Sequence, residues 1–250
     1  MSKKSETTRL LMTMPVEELD QFEAILELEA LEPVHLTLER YVSVAPADGE
    51  HTLEKLEEYE NIIYGNRLNA QFFIDWVLEH QALEAVRNTL NLVLDQETAD
   101  LLEEQGIPAI QPQEQKPIGM MEFILRFRRM GLTLYPCGSH RTEEIPGLLE
   151  ELDIPVNEFE VYERVGPEAE ELESYRRKVE EYEPDMVLFH SRRSVNKILA
   201  AFPDLDLGNK QLLLLGPLAE EKLREHVENP GKIIVVESVE GLVQEIDELL

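Results

Sequence analysis

The feature that most narrows the fold is a recurrence. Short, nearly all-apolar runs (NIIY at 61–64, LNLVL at 90–94, LTLY at 132–135, MVLF at 186–189, LLLL at 212–215 and IIVV at 233–236) are each followed by a polar or breaker turn and then by a segment of helical spacing. A strand that is apolar along its whole length is covered on both faces, and strands alternating with helices build parallel sheets. The expected fold class is therefore α/β, with parallel sheets flanked by helices. Laid side by side, 61–112 and 185–238 show one order of events: NIIYGNR or DMVLFHSR, a helix, a second strand, a second helix and a last short strand. This internal repeat predicts two similar α/β domains. Each would carry its polar turns at the carboxyl ends of parallel strands, where open sheets bind ligands.

The rest of the chain fits around these runs. An apolar strand at 9–14 stops at Pro15, and 16–31 places Leu19, Phe22, Ile25, Leu26 and Ala30 at helical spacing, with Pro33 ending the helix. Residues 34–44 alternate and read as an extended strand or connector. A second alternating run, 156–165, has Phe159, Val161 and Val165 on its apolar side and Tyr162 on the other. Helices are expected at 52–59, at 68–80 with Phe72, Phe73 and Trp76 as core, at 96–105 with Gly106 as the residue just past the end, and at 118–130. Others follow from Thr142 and over 167–182, 194–202, 218–227 and 239–249.

Charge limits the partners. A net charge of -29 on 250 residues argues against nucleic acid, whose phosphates most of this surface would repel. The acids sit mostly on helical segments and read as solvated helix faces, with a salt-rich environment as the weaker reading. An anionic ligand would need a local island of donors. No stretch has the apolar length to cross a bilayer, so no membrane association is expected, and the start of the chain shows no signal peptide. The single cysteine cannot form an internal disulfide, which fits a reducing cytoplasm.

Other chemistries are poorly served. Cys137 and His140 suggest a thiol nucleophile, but no third group stands by to orient them. His35, His51, His80 and His226 lack ligand spacing, so no metal is expected, and Gly138 and Gly216 stand alone rather than in a phosphate-binding fingerprint. Thr98, Ser139, Thr142, Ser191 and Ser194 lie near helix starts, where each is suited to capping.

Three stretches resemble the uroporphyrinogen-III synthase family: LYPCGSHRTEEIPGLLEELDIPVNEFEVYERV from 134, PDMVLFHSRRSVNKIL from 184, and LLLLGPLAEEKL from 212. Thr98 in ETADLL and Ser191 in FHS match its pattern. The chain departs from it at Met14-Pro15, where many members have Arg-Pro, at Tyr64-Gly65-Asn66, and at Leu218, where a threonine is usual. The resemblance implies a discontinuous α/β domain of 1–33 and 166–250, an inserted α/β domain of 45–155, and a connector made of 34–44 and 156–165, with the active cleft between the domains. It also implies a cofactor-independent lyase, cytoplasmic and monomeric, that expels the terminal hydroxyl of hydroxymethylbilane, inverts the last pyrrole ring and closes the macrocycle. Tyr162 would be the proton donor. Substrate carboxylates would meet Arg67, Thr98, Ser139, His140, Arg141, Ser191, Arg192 and Arg193. The other outcome to weigh is a non-catalytic relative that keeps the two-domain clamp and binds a small anion or a protein.

Overall fold

The computed structural model describes residues 7–112, 117–127, 131–140 and 144–250. The elements run β1 (Thr8–Met12), a 3₁₀ helix (Val16–Phe22), α1 (Glu23–Leu26), β2 (Leu31–His35), β3 (Arg40–Ser43), α2 (Gly49–Glu54), a 3₁₀ turn (Leu56–Glu58), β4 (Asn61–Tyr64), α3 (Arg67–Glu79), α4 (Leu83–Arg87), β5 (Leu90–Val93) and α5 (Gln96–Glu104). They continue with β6 (Ala109–Ile110), α6 (Pro117–Phe127), β7 (Thr133–Gly138), α7 (Glu144–Glu151), β8 (Val156–Val165), α8 (Ala169–Tyr182), β9 (Met186–Phe189), α9 (Arg192–Ala201), β10 (Gln211–Leu215), α10 (Pro217–His226), β11 (Lys232–Val236) and α11 (Val239–Leu249). Among the described residues no helix is long and apolar enough to cross a membrane.

The chain divides into two compact units, one of 1–40 and 165–250 and the other of 41–164. In the first, the strand order is β11-β10-β9-β1-β2, with every neighbouring pair parallel. In the second it is β3-β8-β7-β4-β5-β6, parallel from β8 to β6. The all-apolar strands are explained by their cores. Leu11, Val187, Phe189, Leu212 and Leu214 enter one cluster of the first unit, while Leu10, Met12, Met186, Leu188 and Leu213 enter another. Likewise Ile62 and Tyr64 face one core of the second unit and Ile63 the other. Alternate residues thus bury on opposite faces, each large side chain contributing about 1.5–3 kcal/mol.

In both halves of the repeat three strands joined by helices are consecutive in the sheet, β4-β5-β6, with α3 and the short α4 between its first two strands, and β9-β10-β11. In each unit the strand order reverses beside the first of these, between β4 and β7 and between β9 and β1. The expected C′ glycine is present: Gly106 has φ +67°, and its N–H and that of Ile107 bond to Glu103 O and Leu102 O at 2.8 and 2.9 Å, closing α5.

Four expectations change. The segment 16–31 is a 3₁₀ helix over Val16–Phe22, a single α turn over Glu23–Leu26 and then a turn, and it gives way to β2 at Leu31. Pro33 does not end a helix but lies inside β2, an edge strand, where a missing N–H is tolerated. The run at 34–44 is not one strand: its start belongs to β2 in one sheet and its end is β3 in the other. Finally, β8 does not keep Tyr162 on a polar side. Its pairing with β7 slips between Cys137 and Gly138, so that Glu160 and Tyr162 face successive β7 residues, and Val161 and Tyr162 are both buried.

Candidate active site

In open parallel sheets the crevice outside the strands' carboxyl ends, at the reversal of strand order, is where ligands bind. In the unit of 41–164 that place is bounded by the end of β4, with Gly65, Asn66 and Arg67, and by the end of β7, with Ser139 and His140. Asn66 caps α3, its Oδ1 accepting the Asn69 N–H at 3.0 Å. The Tyr162 hydroxyl donates to Asn69 Oδ1 at 2.9 Å. The Tyr162 ring stacks on Phe72 at 4.8 Å between centroids and meets Tyr41 edge-on at 5.6 Å. Gly138 makes this possible, because a Cβ there would lie 2.4 Å from the Tyr162 ring. Tyr162 is 5% exposed. Burial raises its pKa above the usual phenol value, against the lowering effect of Arg164, so the hydroxyl keeps its proton at neutral pH.

Ser139 and His140 are exposed, with Ser139 Oγ 3.1 Å from His140 Nδ1 and the Ser139 N–H bonded to Tyr162 O at 3.0 Å. Arg67 is exposed at the first position of α3. Thr98 lies one strand further out, after β5; it is fully buried, and the cap of α5 is Asp95, which accepts the Thr98 N–H at 2.8 Å. Arg141 and Thr142 lie outside the described residues.

In the other unit the reversal falls between β1 and β9. Ser191 caps α9 in a reciprocal box with Ser194, and Arg192 and Arg193 follow, both exposed. Arg193 is 4.0 Å from Glu39. Sequence reasoning passed over His190 here. Its ring touches Phe22 edge-on, burial holds its pKa down at about 4, and Nδ1 has no hydrogen-bond partner among the described residues. It also passed over Asn69, although a polar residue buried in the first turn of an otherwise apolar helix face was a readable signal.

The helix starts are the electrostatic feature of these ends. Among the described residues, α3 and α9 have no acid in the first turn and open on arginine, and every other helix except α6 has an acid there. The α3 N-terminus thus offers its dipole and a guanidinium to an anion; the α9 N-terminus does the same through Arg192, while Glu39 stands by Arg193. By contrast, a cavity of about 350 Å³ beyond Phe72 is rimmed by Glu50, Asp75 and Glu79, and one of about 380 Å³ at the amino ends of β9 and β10 is lined by Glu180, Glu183, Asp204 and Asp206 against Arg176 and Lys210. Neither suits a polycarboxylate. Among the described residues no three His, Cys, Asp or Glu side chains gather as a metal site.

The sequence matches the family described as uroporphyrinogen-III synthase HemD over residues 20–244. The chain belongs to the uroporphyrinogen-III synthase family. Among solved structures, a uroporphyrinogen-III synthetase from Helicobacter pylori is similar with a TM-score of 0.64 at 15% identity, over 97% of this chain and 100% of that one. A mutant uroporphyrinogen III synthase from the extremely thermophilic bacterium Thermus thermophilus is similar with a TM-score of 0.59 at 13% identity, over 96% and 98%. At these identities the likeness is one of fold. No curated protein matches the sequence significantly.

Membership of the uroporphyrinogen-III synthase family gives the departures a physical reading. At Tyr64-Gly65-Asn66 the tyrosine is core, its hydroxyl donating to Asn91 Oδ1 at 3.1 Å, and Asn66 caps α3 as Ser191 caps α9. Asparagine and serine cap equally well, so that exchange leaves the local geometry intact. Leu218, in place of a threonine, stands 59% exposed in the first turn of α10 and packs into no core.

Proposed function

We propose that this chain is a uroporphyrinogen-III synthase, converting hydroxymethylbilane to uroporphyrinogen III with loss of water in tetrapyrrole biosynthesis. One observation carries the reading beyond family membership. In a chain of net charge -29, the helices that start at the two strand-order reversals carry no acid in their own first turn and open on arginine. That is the arrangement a polycarboxylate requires. Arg67, Ser139, His140, Arg141, Ser191, Arg192 and Arg193 would meet carboxylates of the substrate. Thr98 would act through the fold around α5, since its side chain is buried.

In this reading the task is mainly positioning, because the unassisted closure gives the uninverted isomer and the enzyme must favour one ring-closing geometry. The chemistry needs no cofactor. A donor protonates the departing hydroxyl, the adjacent pyrrole nitrogen supplies electrons as the C–O bond breaks, and the cation is held away from water until the ring closes. Tyr162 is the donor in this scheme, its proton retained by burial until it is needed. We also read 34–44 and 156–165 as the connector between the two domains, and the protein as a cytoplasmic monomer.

The test is a coupled assay that supplies freshly made hydroxymethylbilane and resolves the product isomers. The intact protein is expected to give the type III isomer, and Tyr162→Phe to lower kcat by roughly 10²-fold or more with its melting temperature kept within a few degrees. Type I product alone from the intact protein would end the enzyme reading.

A further inference from the structure

We propose that Asn69 is a positioning residue for Tyr162, and that the direction of its amide decides whether the phenol can release its proton. The inference rests on Tyr162 being the donor. As it stands, the Tyr162 O–H is directed at Asn69 Oδ1 and so is not offered to anything else. The ring has little freedom to turn away. It lies against Gly138 on one side, where even a Cβ would collide, and it stacks on Phe72. The Asn69 backbone is also held, by Asn66 through the cap of α3.

What can move is the amide group. Asn69 is 3% exposed, and the space beside it is kept open by Gly65, where a Cβ would stand 3.2 Å from Asn69 Nδ2 and 2.9 Å from Tyr135 Oη. A half-turn about the last side-chain bond exchanges Oδ1 for Nδ2. Nδ2–H then donates to Tyr162 Oη, and the phenolic proton is free to turn to a substrate oxygen. The proton passes from Oη to the leaving hydroxyl, the C–O bond breaks, and its electron pair departs with water. The phenolate left behind is stabilised by the Nδ2–H bond, and it recovers a proton from the carbon at which the macrocycle closes. No other reactant is consumed.

Sequence alone hides this pair, because the partners are 93 positions apart and meet only through the slipped pairing of β8 with β7. The experiment uses the whole chain with hydroxymethylbilane and compares Asn69→Leu and Asn69→Asp, each alone and combined with Tyr162→Phe. Asn69→Asp keeps an acceptor for the phenol and removes the donor, while Asn69→Leu removes both with little change in volume.

Both single variants are expected to lower kcat by roughly 10- to 100-fold, the range of a misplaced general acid, with KM within about twofold. In the Tyr162→Phe background neither should lower kcat further. A wild-type rate for Asn69→Asp, or a loss that multiplies with that of Tyr162→Phe, would overturn the positioning role. A wild-type rate for Tyr162→Phe itself would instead remove the donor reading beneath it.

Discussion

Gly138 shows how much of this site depends on single atoms. Its missing side chain is the surface on which the Tyr162 ring rests, so Gly138→Ala must move either the ring or β7. Overpacking of this kind costs about 1–3 kcal/mol, and urea unfolding should show it together with a lowered kcat; unchanged stability and rate would mean that the ring is not seated there. His190 makes a second residue-scale prediction. Burial is the main cause of its low pKa, with His35 acting in the same direction and Glu39 against it, while Glu18 lies 4.0 Å from Nε2 and Phe22 packs on the ring. The unfolded chain binds a proton at about 6.5 and the folded chain only at about 4, so stability is lost as pH falls from 6.5 toward 4. The shift corresponds to roughly 3 kcal/mol. Because the acids also titrate in this range, the measurement is the difference between the intact protein and His190→Gln in urea at pH 7.5 and 4.5. The variant should lose less on acidification, and equal losses would show that His190 is not buried neutral.

At the scale of elements, β4, β9 and α11 have the bounds that apolar runs, turns and helical spacing predict, and α5 ends one residue early at the expected glycine. The repeat was legible because each unit covers both faces of a parallel sheet, which makes its strands uniformly apolar. What was not legible depended on contacts distant in sequence. The slip beside Cys137 reverses the side on which Tyr162 was placed, and it can be seen only from the pairing of β8 with β7. The 3₁₀ helix at Val16–Phe22 has the composition of an α-helix, and the short α4 gave too few residues to show a period. Of the site, the arginines and Ser191 were readable as residues at strand ends, whereas Asn69 and His190 acquire meaning only from their neighbours. The paired starts of α3 and α9 lead to a prediction about substrate binding. Arg67→Glu and Arg192→Glu should each raise KM by about tenfold, in line with roughly 1–2 kcal/mol for a reversed charge at a helix N-terminus. kcat should change much less. An equivalent reversal at exposed Arg224, in the last turn of α10, is the control and should leave KM unchanged.

At the scale of the whole molecule, the 52 acids set against 23 bases impose a self-repulsion that the folded chain must overcome. Ion pairs relieve it only locally. Those of Arg9 with Asp185, Arg40 with Glu171 and Arg224 with Glu220 are partly exposed, and each adds little by itself. The melting temperature should therefore rise with sodium chloride, steeply at first, because the screening length falls from about 30 Å at 0.01 M to about 10 Å at 0.1 M. The shape of the curve identifies the cause. Relief of repulsion levels off once the screening length is shorter than the spacing of surface charges, whereas exclusion of a co-solvent from the surface continues to stabilise in proportion to its concentration. A series in sucrose at low salt should thus rise without a plateau, and the sodium chloride series should flatten within a few tenths molar. A sodium chloride curve that is flat from the start would show that the acids are already far enough apart not to oppose folding, and the surplus of glutamate would then need a cause other than tolerance of salt.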